Sequence, residues 1–316
     1  MTTDGSLCLC EASMPYLLFA GCCLVWSVSF LLMKKAVVGF HPITVAAWRV
    51  LGGGFVLAFL CWRRREWPRL TLQQARWLGV VCLLGCGWPY VIQPEIVARQ
   101  GSAFVALAVS LVPLITLIFS AVFLGVYPSS RQLAGVCTAF VCLGVLLVDG
   151  LRRAIPLSDL LLACSVPACY SAANLVIRRQ LAQTGSLGMT FLIMLITSAV
   201  LFPLSLTQTN PGCDSPRDWW LAVACLGLLG TVGTGLATYW FNTMIQLEGP
   251  LFAGMSTNLV PIGALLWGWW DAEEISARQV LALLGIVIGV VWVQTATYQR
   301  PVPIPPPNPS ATPSGD

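Results

Sequence analysis

Long stretches almost free of charge recur along this chain, each close to the length of a bilayer crossing. They cover residues 12–33, 77–94, 100–130, 132–148, 160–177, 180–213, 219–247, 249–270 and 279–299, and a further stretch, 42–62, is interrupted only by Arg49. A helix needs about 20 apolar residues to cross a hydrocarbon core of about 30 Å. The windows predict ten transmembrane helices, at 15–35, 42–62, 77–97, 101–126, 131–148, 157–177, 187–207, 219–242, 250–270 and 278–297. A membrane barrel needs alternating segments of about ten residues, and none are present. The expected class is an all-α membrane protein.

Composition excludes the other classes. Of 316 residues, 57% are hydrophobic and 9% charged, with a mean hydropathy of +0.80. A soluble domain carries about a quarter charged residues, so a soluble enzyme and a disordered chain are both ruled out. The net charge of +4 is small and scattered, which gives no phosphate-tracking groove and no nucleic-acid partner. The expected partners are the lipid bilayer and a small-molecule substrate, with the protein a monomer or a homodimer.

Residues 1–14 hold Asp4 and Glu11 but no Lys or Arg. With no basic n-region there is no cleaved signal peptide to expect, and 1–14 reads as a cytoplasmic segment. Residues 298–316 are rich in proline and read as a disordered tail. With the N-terminus inside, nine Lys and Arg residues fall on the cytoplasmic side and seven outside, and the basic cluster at 63–76 decides the bias. Both termini are therefore expected in the cytoplasm, with the protein in the plasma membrane (the inner membrane of a bacterium). Trp62, Trp67, Trp77, Trp219, Trp220, Trp269 and Trp270 fall at proposed boundaries, where amphipathic rings anchor at headgroup level. The 13 cysteines lie mostly inside spans, without metal spacing, and His41 is the sole histidine. No metal site and no cofactor are expected.

The chain also repeats itself. Residues 26–35, WSVSFLLMKK, align without gaps onto 170–179, YSAANLVIRR; GSAFVALAVSLVP at 101–113 matches GPLFAGMSTNLVP at 249–261; and 131–148 matches 278–293 loosely. The units are 15–148 and 157–297, joined by a linker at 149–156. Five helices per unit is an odd number, so the second copy enters the bilayer from the opposite face. The result is two inverted five-helix repeats, an architecture of secondary transporters with a site near the midplane.

These residues carry a family resemblance. The stretch WSVSFLLMKKAVVGFHPITVAAWR, with Trp26, Phe30, Lys34, Pro42 and Arg49, resembles the first-span pattern of the EamA-type transporters of the drug/metabolite transporter superfamily. The LVP of the fourth and ninth spans and the Arg-Gln opening of the fifth and tenth add to it. The resemblance covers roughly residues 15–297. It implies ten helices, alternating access and export of small metabolites or amino acids. The family places an acidic residue after the fourth helix of each unit; the second unit has Glu273, but the first has Val126-Tyr127.

Candidate substrate-binding residues follow from depth and polarity. Ser102, Ala106 and Ser110 form one small-residue face, answered by Pro250, Gly254 and Asn258. Pro113 and Pro261 lie about 18 Å into their spans at 1.5 Å per residue. Each removes a hydrogen bond to the carbonyl four residues earlier, freeing Val109 and Thr257. Such a carbonyl either meets a ligand beside a moving hinge or is closed by a Ser or Thr hydroxyl, and the paired placement favours the hinge. Trp26, Ser29, Trp88, Tyr90, Gln93, Tyr170, Asn174 and Tyr239 lie at similar depth, with Thr231, Thr234 and Thr238 nearby. Aromatic walls with amide and hydroxyl groups suit a small zwitterion or amphipathic metabolite. Arg49 and Glu95 either pair in the outer half of the bundle or lie at the interface separately. Glu95 is the candidate for ion coupling.

The chain has no phosphate-binding G-x-x-x-x-G-K-[ST] loop and no G-x-S-x-G elbow, so neither a pump nor an enzyme is expected. The alternatives are a sugar-phosphate or nucleotide-sugar exchanger, an intramembrane lipid-handling enzyme, and a channel. The exchanger calls for several buried cations, and Arg49 alone qualifies. The enzyme needs a catalytic cluster at headgroup level, and the channel a continuous polar lining.

Overall fold

The computed structural model describes residues 4–124, 129–131, 134–135, 137–138, 141–142 and 155–295. Every regular element among them is helical. We label them α1 (Asp4–Gly39), α2 (Pro42–Arg64), α3 (Leu72–Gln100), α4 (Ser102–Val109 and Val112–Leu124), α5 (Leu157–Gln180), α6 (Ser186–Leu206), α7 (Pro216–Glu248), α8 (Pro250–Trp270) and α9 (Ala277–Thr295). Among the described residues, eight helices are long and apolar enough to cross a membrane, from α1 to α8. Of the fifth expected span, 131–148, only residues 131, 134–135, 137–138 and 141–142 are described; residues 149–154 of the linker 149–156, and the whole tail 298–316, lie outside the described residues.

Local chemistry sets the helix ends. α2 opens with Pro42 in its first turn and His41 Nδ1 accepting from the Ile43 amide at 3.3 Å, and it closes at Arg65 in the left-handed region, φ 56°. α3 begins with a capping box in which Thr71 and Gln74 exchange hydrogen bonds. α7 begins with a serine cap, Ser215 Oγ accepting from the Asp218 amide at 3.1 Å. Gly101 (φ 86°) and Gly249 (φ 98°) turn the chain sharply between α3 and α4 and between α7 and α8, where a side chain would be strained.

The two units echo each other in a rarer feature. α3 carries a π-helical stretch at Cys82–Gly87, and α7 carries one at Leu229–Leu236. Such wide turns occur mostly where a helix serves a functional site. Glycine is dense in both stretches, as Gly85 and Gly87 in the first and Gly230, Gly233 and Gly235 in the second.

The helix of α1 begins at Asp4, and the part of it long and apolar enough to cross a membrane, Met14–Gly39, lies where the first span is expected. Two expectations need correction. The fourth expected span is broken. Ser110 N bonds to the Ala106 and Leu107 carbonyls at 3.2 Å, and Leu111 N to Ala108 at 3.2 Å, a tightened turn just before Pro113. Pro261, its repeat partner, lies inside an unbroken α8, so the two prolines do not form a matched pair of breaks. Trp77 is partly buried and packs on the core with Leu78 and Leu187, whereas Trp62, Trp67, Trp219, Trp220, Trp269 and Trp270 are exposed as anchors should be.

Two apolar clusters hold the bundle. One gathers Leu57, Leu78, Met194 and Met244 from α2, α3, α6 and α7. The other gathers Phe30, Ile96, Val105, Val166 and Val260 from α1, α3, α4, α5 and α8. Trp26 and Tyr170 pack against both, and the space between the clusters is the cavity.

Candidate functional site

The cavity holds about 820 Å³ of empty space, part of it continuous with solvent. α1 contributes Trp26, Ser29, Phe30 and Met33; α2 contributes Arg49; α3 contributes Val81, Gly85, Cys86, Tyr90 and Gln93; α4 contributes Val109 and Val112. From the second unit come Tyr170, Ala173, Asn174, Ile177, Ile193, Thr238, Phe241, Asn242, Thr257 and Val260. Both units therefore wall one space.

Arg49 organises the polar side. Its side chain reaches the cavity because α2 crosses α7 with glycine facing glycine. A methyl group on Gly53 would sit 3.1 Å from Gly235 Cα, and one on Gly52 3.3 Å from Gly230 Cα. The backbones nearly touch, which brings Arg49 Nε within 3.0 Å of Thr234 Oγ1. Arg49 Nη1 donates to Gln93 Oε1 at 3.4 Å, and the guanidinium carbon lies 3.9 Å from the centre of the Tyr90 ring, a cation–π contact. The Tyr90 hydroxyl is 3.2 Å from Thr238 Oγ1. Arg49 is 4% exposed and forms no ion pair with a carboxylate among the described residues.

The aromatic side is equally tied down. Trp26 donates its indole N–H to the Gly233 carbonyl at 3.1 Å, inside the π stretch of α7, and its ring lies 5.0 Å from that of Phe241. Asn242 Nδ2 donates to Thr190 Oγ1 at 2.9 Å. Asn174 is the exception: it is 4% exposed and its Nδ2 has no partner among the described residues.

Eight of the residues expected from sequence meet in this cavity: Trp26, Ser29, Arg49, Tyr90, Gln93, Tyr170, Asn174 and Thr257. Six do not. Trp88 is 41% exposed, with its indole N–H on Ser165 Oγ at 2.8 Å. Ser110 is spent on the Leu107 carbonyl. Pro113 lies against Gly254, as close as a methyl on that glycine would come to contact. Tyr239 accepts from Arg64 at 3.2 Å. Asn258 and Pro261 are buried away from the lining. Helical spacing could have found the residues missed: Phe30 and Met33 lie four and seven after Trp26, Cys86 four before Tyr90, and Asn242 four after Thr238.

Glu95 does not pair with Arg49. It pairs with Arg99 one turn on, and Arg99 Nη1 also reaches Asp159 Oδ1 at 2.9 Å. The correction has a simple cause: the i,i+4 partner on the same helix is nearer than any residue of α2. A second ionic cluster closes the same end of the bundle. Lys34 Nζ lies 2.7 Å from Asp271 and 3.0 Å from Glu273, and Lys35 also pairs with Asp271. Glu273 further accepts from the Ser102 amide at 3.1 Å, the Ser102 hydroxyl at 2.6 Å and the Ala103 amide at 3.3 Å, so it caps the N-terminus of α4 from the other unit. Burial pushes the Asp271 and Glu273 carboxyls up, but hydrogen bonds from Lys34, joined by Lys35 on Asp271 and Ser102 on Glu273, outweigh it and hold both below the usual carboxylate range.

A helical bundle with apolar outer surfaces, enclosing a cavity walled by two similar units, defines a multi-pass membrane transporter. The EamA-like transporter family model matches residues 13–148 and again 157–295, and the chain belongs to that family. It is a transporter and not an enzyme. It is similar to the uncharacterized transporter YyaM of Bacillus subtilis (strain 168), 22% identical over 87% of this chain and 92% of that protein. It is also similar to the uncharacterized inner membrane transporter YedA of Escherichia coli (strain K12), 27% identical over 88% of this chain and 90% of that protein. A crystal structure of a protein sharing 20% identity superposes with a TM-score of 0.65, covering 91% of this chain and 99% of its own. That likeness bears on the fold alone.

Proposed function

We propose that the protein exports small metabolites or amino acids by alternating access, with ten spans arranged as two inverted five-helix units. The observation that carries this reading is the cavity itself, lined by α1 to α4 from one unit and α5 to α8 from the other. In this reading both termini are cytoplasmic, the end tied by Lys34, Asp271 and Glu273 faces outward, and that ion-paired cluster serves as the outer gate. Opening that gate separates α1 and α4 from α8 and breaks the two Lys34 pairs. Among the described lining residues Arg49 is the single cation, which supports a metabolite carrier over an exchanger of multiply charged sugar phosphates. Movement in this reading uses no buried acid: among the described residues none lines the cavity, and Glu95 is committed to Arg99.

Counterflow tests the reading. Purified protein is reconstituted in liposomes preloaded with a mixed pool of amino acids and metabolites, and exchange is read by mass spectrometry. A carrier shows exchange-stimulated flux of one solute class. Flux insensitive to solute on the far side indicates a channel and overturns the proposal. Unchanged flux in both Trp26→Ala and Tyr170→Ala would remove the cavity from the route.

A further inference from the structure

The electrostatics of the cavity select a narrower ligand than its shape does. Arginine is a permanent cation, and a guanidinium has five N–H donors. Arg49 spends two of them, on Thr234 and Gln93, both neutral acceptors. The Tyr90 ring covers one face, and among the described residues no Asp or Glu lines the cavity. The charge is thus solvated by neutral groups, in a setting where an uncompensated charge is costly. A second unused donor, Asn174 Nδ2, belongs to another lining residue, buried and without a partner among the described residues. The remaining walls are apolar or aromatic, with Trp26, Phe30, Tyr170 and Phe241 foremost.

We propose that the cavity binds an apolar organic monoanion, a carboxylate on a hydrocarbon or aromatic body, in preference to a zwitterion. The carboxylate takes the free N–H groups of Arg49 and the amide N–H of Asn174, and the body lies among the aromatic rings. A zwitterion brings an ammonium group for which the cavity offers no carboxylate. The inference rests on the carrier reading above only for its site, and narrows that reading to a substrate class.

Three probes of matched skeleton test it on the full-length protein in detergent: 3-phenylpropionate, phenylalanine and 2-phenylethylamine. Titration is followed by tryptophan fluorescence, since Trp26 lines the cavity. The anion should bind about tenfold or more tighter than the zwitterion, and the amine weakest, because charge-assisted hydrogen bonds to a buried guanidinium are the strong ones. Arg49→Gln should abolish the preference and Arg49→Lys retain part of it. Asn174→Ala should weaken the anion several-fold without lowering the melting temperature, because it removes an unsatisfied group; it decides the matter if the arginine variants do not fold. Equal or tighter binding of phenylalanine, undiminished anion binding in Arg49→Gln, or no binding of any probe overturns the proposal. Counterflow of the metabolite pool separates the two claims. Pool transport without anion preference leaves the carrier and sinks this inference; selective anion binding without transport does the reverse.

Discussion

The glycine crossing between α2 and α7 gives a perturbation whose size follows from distances. A methyl group added at Gly235 would lie 2.8 Å from Gly53 Cα, and one added at Gly53 would lie 3.1 Å from Gly235 Cα and N. The opposing atoms are backbone, so neither clash is relieved by a rotamer. To restore ordinary contact the helices must part by about 0.6 Å at Gly235. Forcing extra carbon into a packed core costs about 1–3 kcal/mol. The same movement stretches the 3.0 Å Arg49–Thr234 bond beyond useful length, for about 1 kcal/mol more. Replacing glycine in a helix returns about 1 kcal/mol, so Gly235→Ala should destabilise by about 1–3 kcal/mol. Gly54 is an internal control on the same turn. Its added methyl would find only Met194 Cβ at 3.7 Å, so Gly54→Ala should match the parent or exceed it. Thermal unfolding in detergent should rank Gly54→Ala first, Gly53→Ala next and Gly235→Ala last. Gly235→Ala melting at or above Gly54→Ala would refute the backbone contact and the placement of Arg49 that depends on it.

The outer ionic cluster makes a second prediction. Glu273→Gln keeps an acceptor for Ser102 but loses the charge facing Lys34, and should destabilise by about 1 kcal/mol, as for partly exposed pairs. Because the Glu273 and Asp271 carboxyls are held below their ordinary values, their stabilisation is complete above the unfolded carboxylate value and fades as pH falls through the folded one. The melting temperature should therefore drop on acidification below about pH 4, less steeply in Glu273→Gln; an identical slope counts against the cluster. Within α8, both side-chain polar atoms of Asn258 are buried and have no partner among the described residues. Asn258→Leu should raise the melting temperature by removing an unsatisfied amide worth about 1–3 kcal/mol, and a fall would show that the amide has a use in this state.

Span positions were legible in the sequence because lipid punishes charge along every crossing, and hydrophobic runs record this directly. The repeat was legible for the same reason that Gly101 and Gly249 share a backbone requirement: the same turn is built twice. What escaped was azimuth. Depth placed Trp88 beside Tyr90, yet the two lie on different faces of α3, so one meets Ser165 and the other the cavity. The break at Ser110–Leu111 escaped as well, because a proline predicts a lost hydrogen bond but leaves open whether the helix bends or stops. Pro113 follows a stop, and Pro261 does not. The sequence left Glu95 either paired with Arg49 or apart from it, and the structure gives it the local partner Arg99, which neither reading named.

Covalent order and mechanical allegiance diverge at α2. The chain assigns this helix to the N-terminal half, yet its glycine seam is flush against α7, with no side chain in between to act as lubricant. On the alternating-access reading proposed above, Arg49 travels as cargo of the C-terminal half, and Trp26, bonded to Gly233 of the same α7, is tethered to it. In that reading the duplicated units seen by eye along the sequence are not the two rigid levers that the bilayer feels.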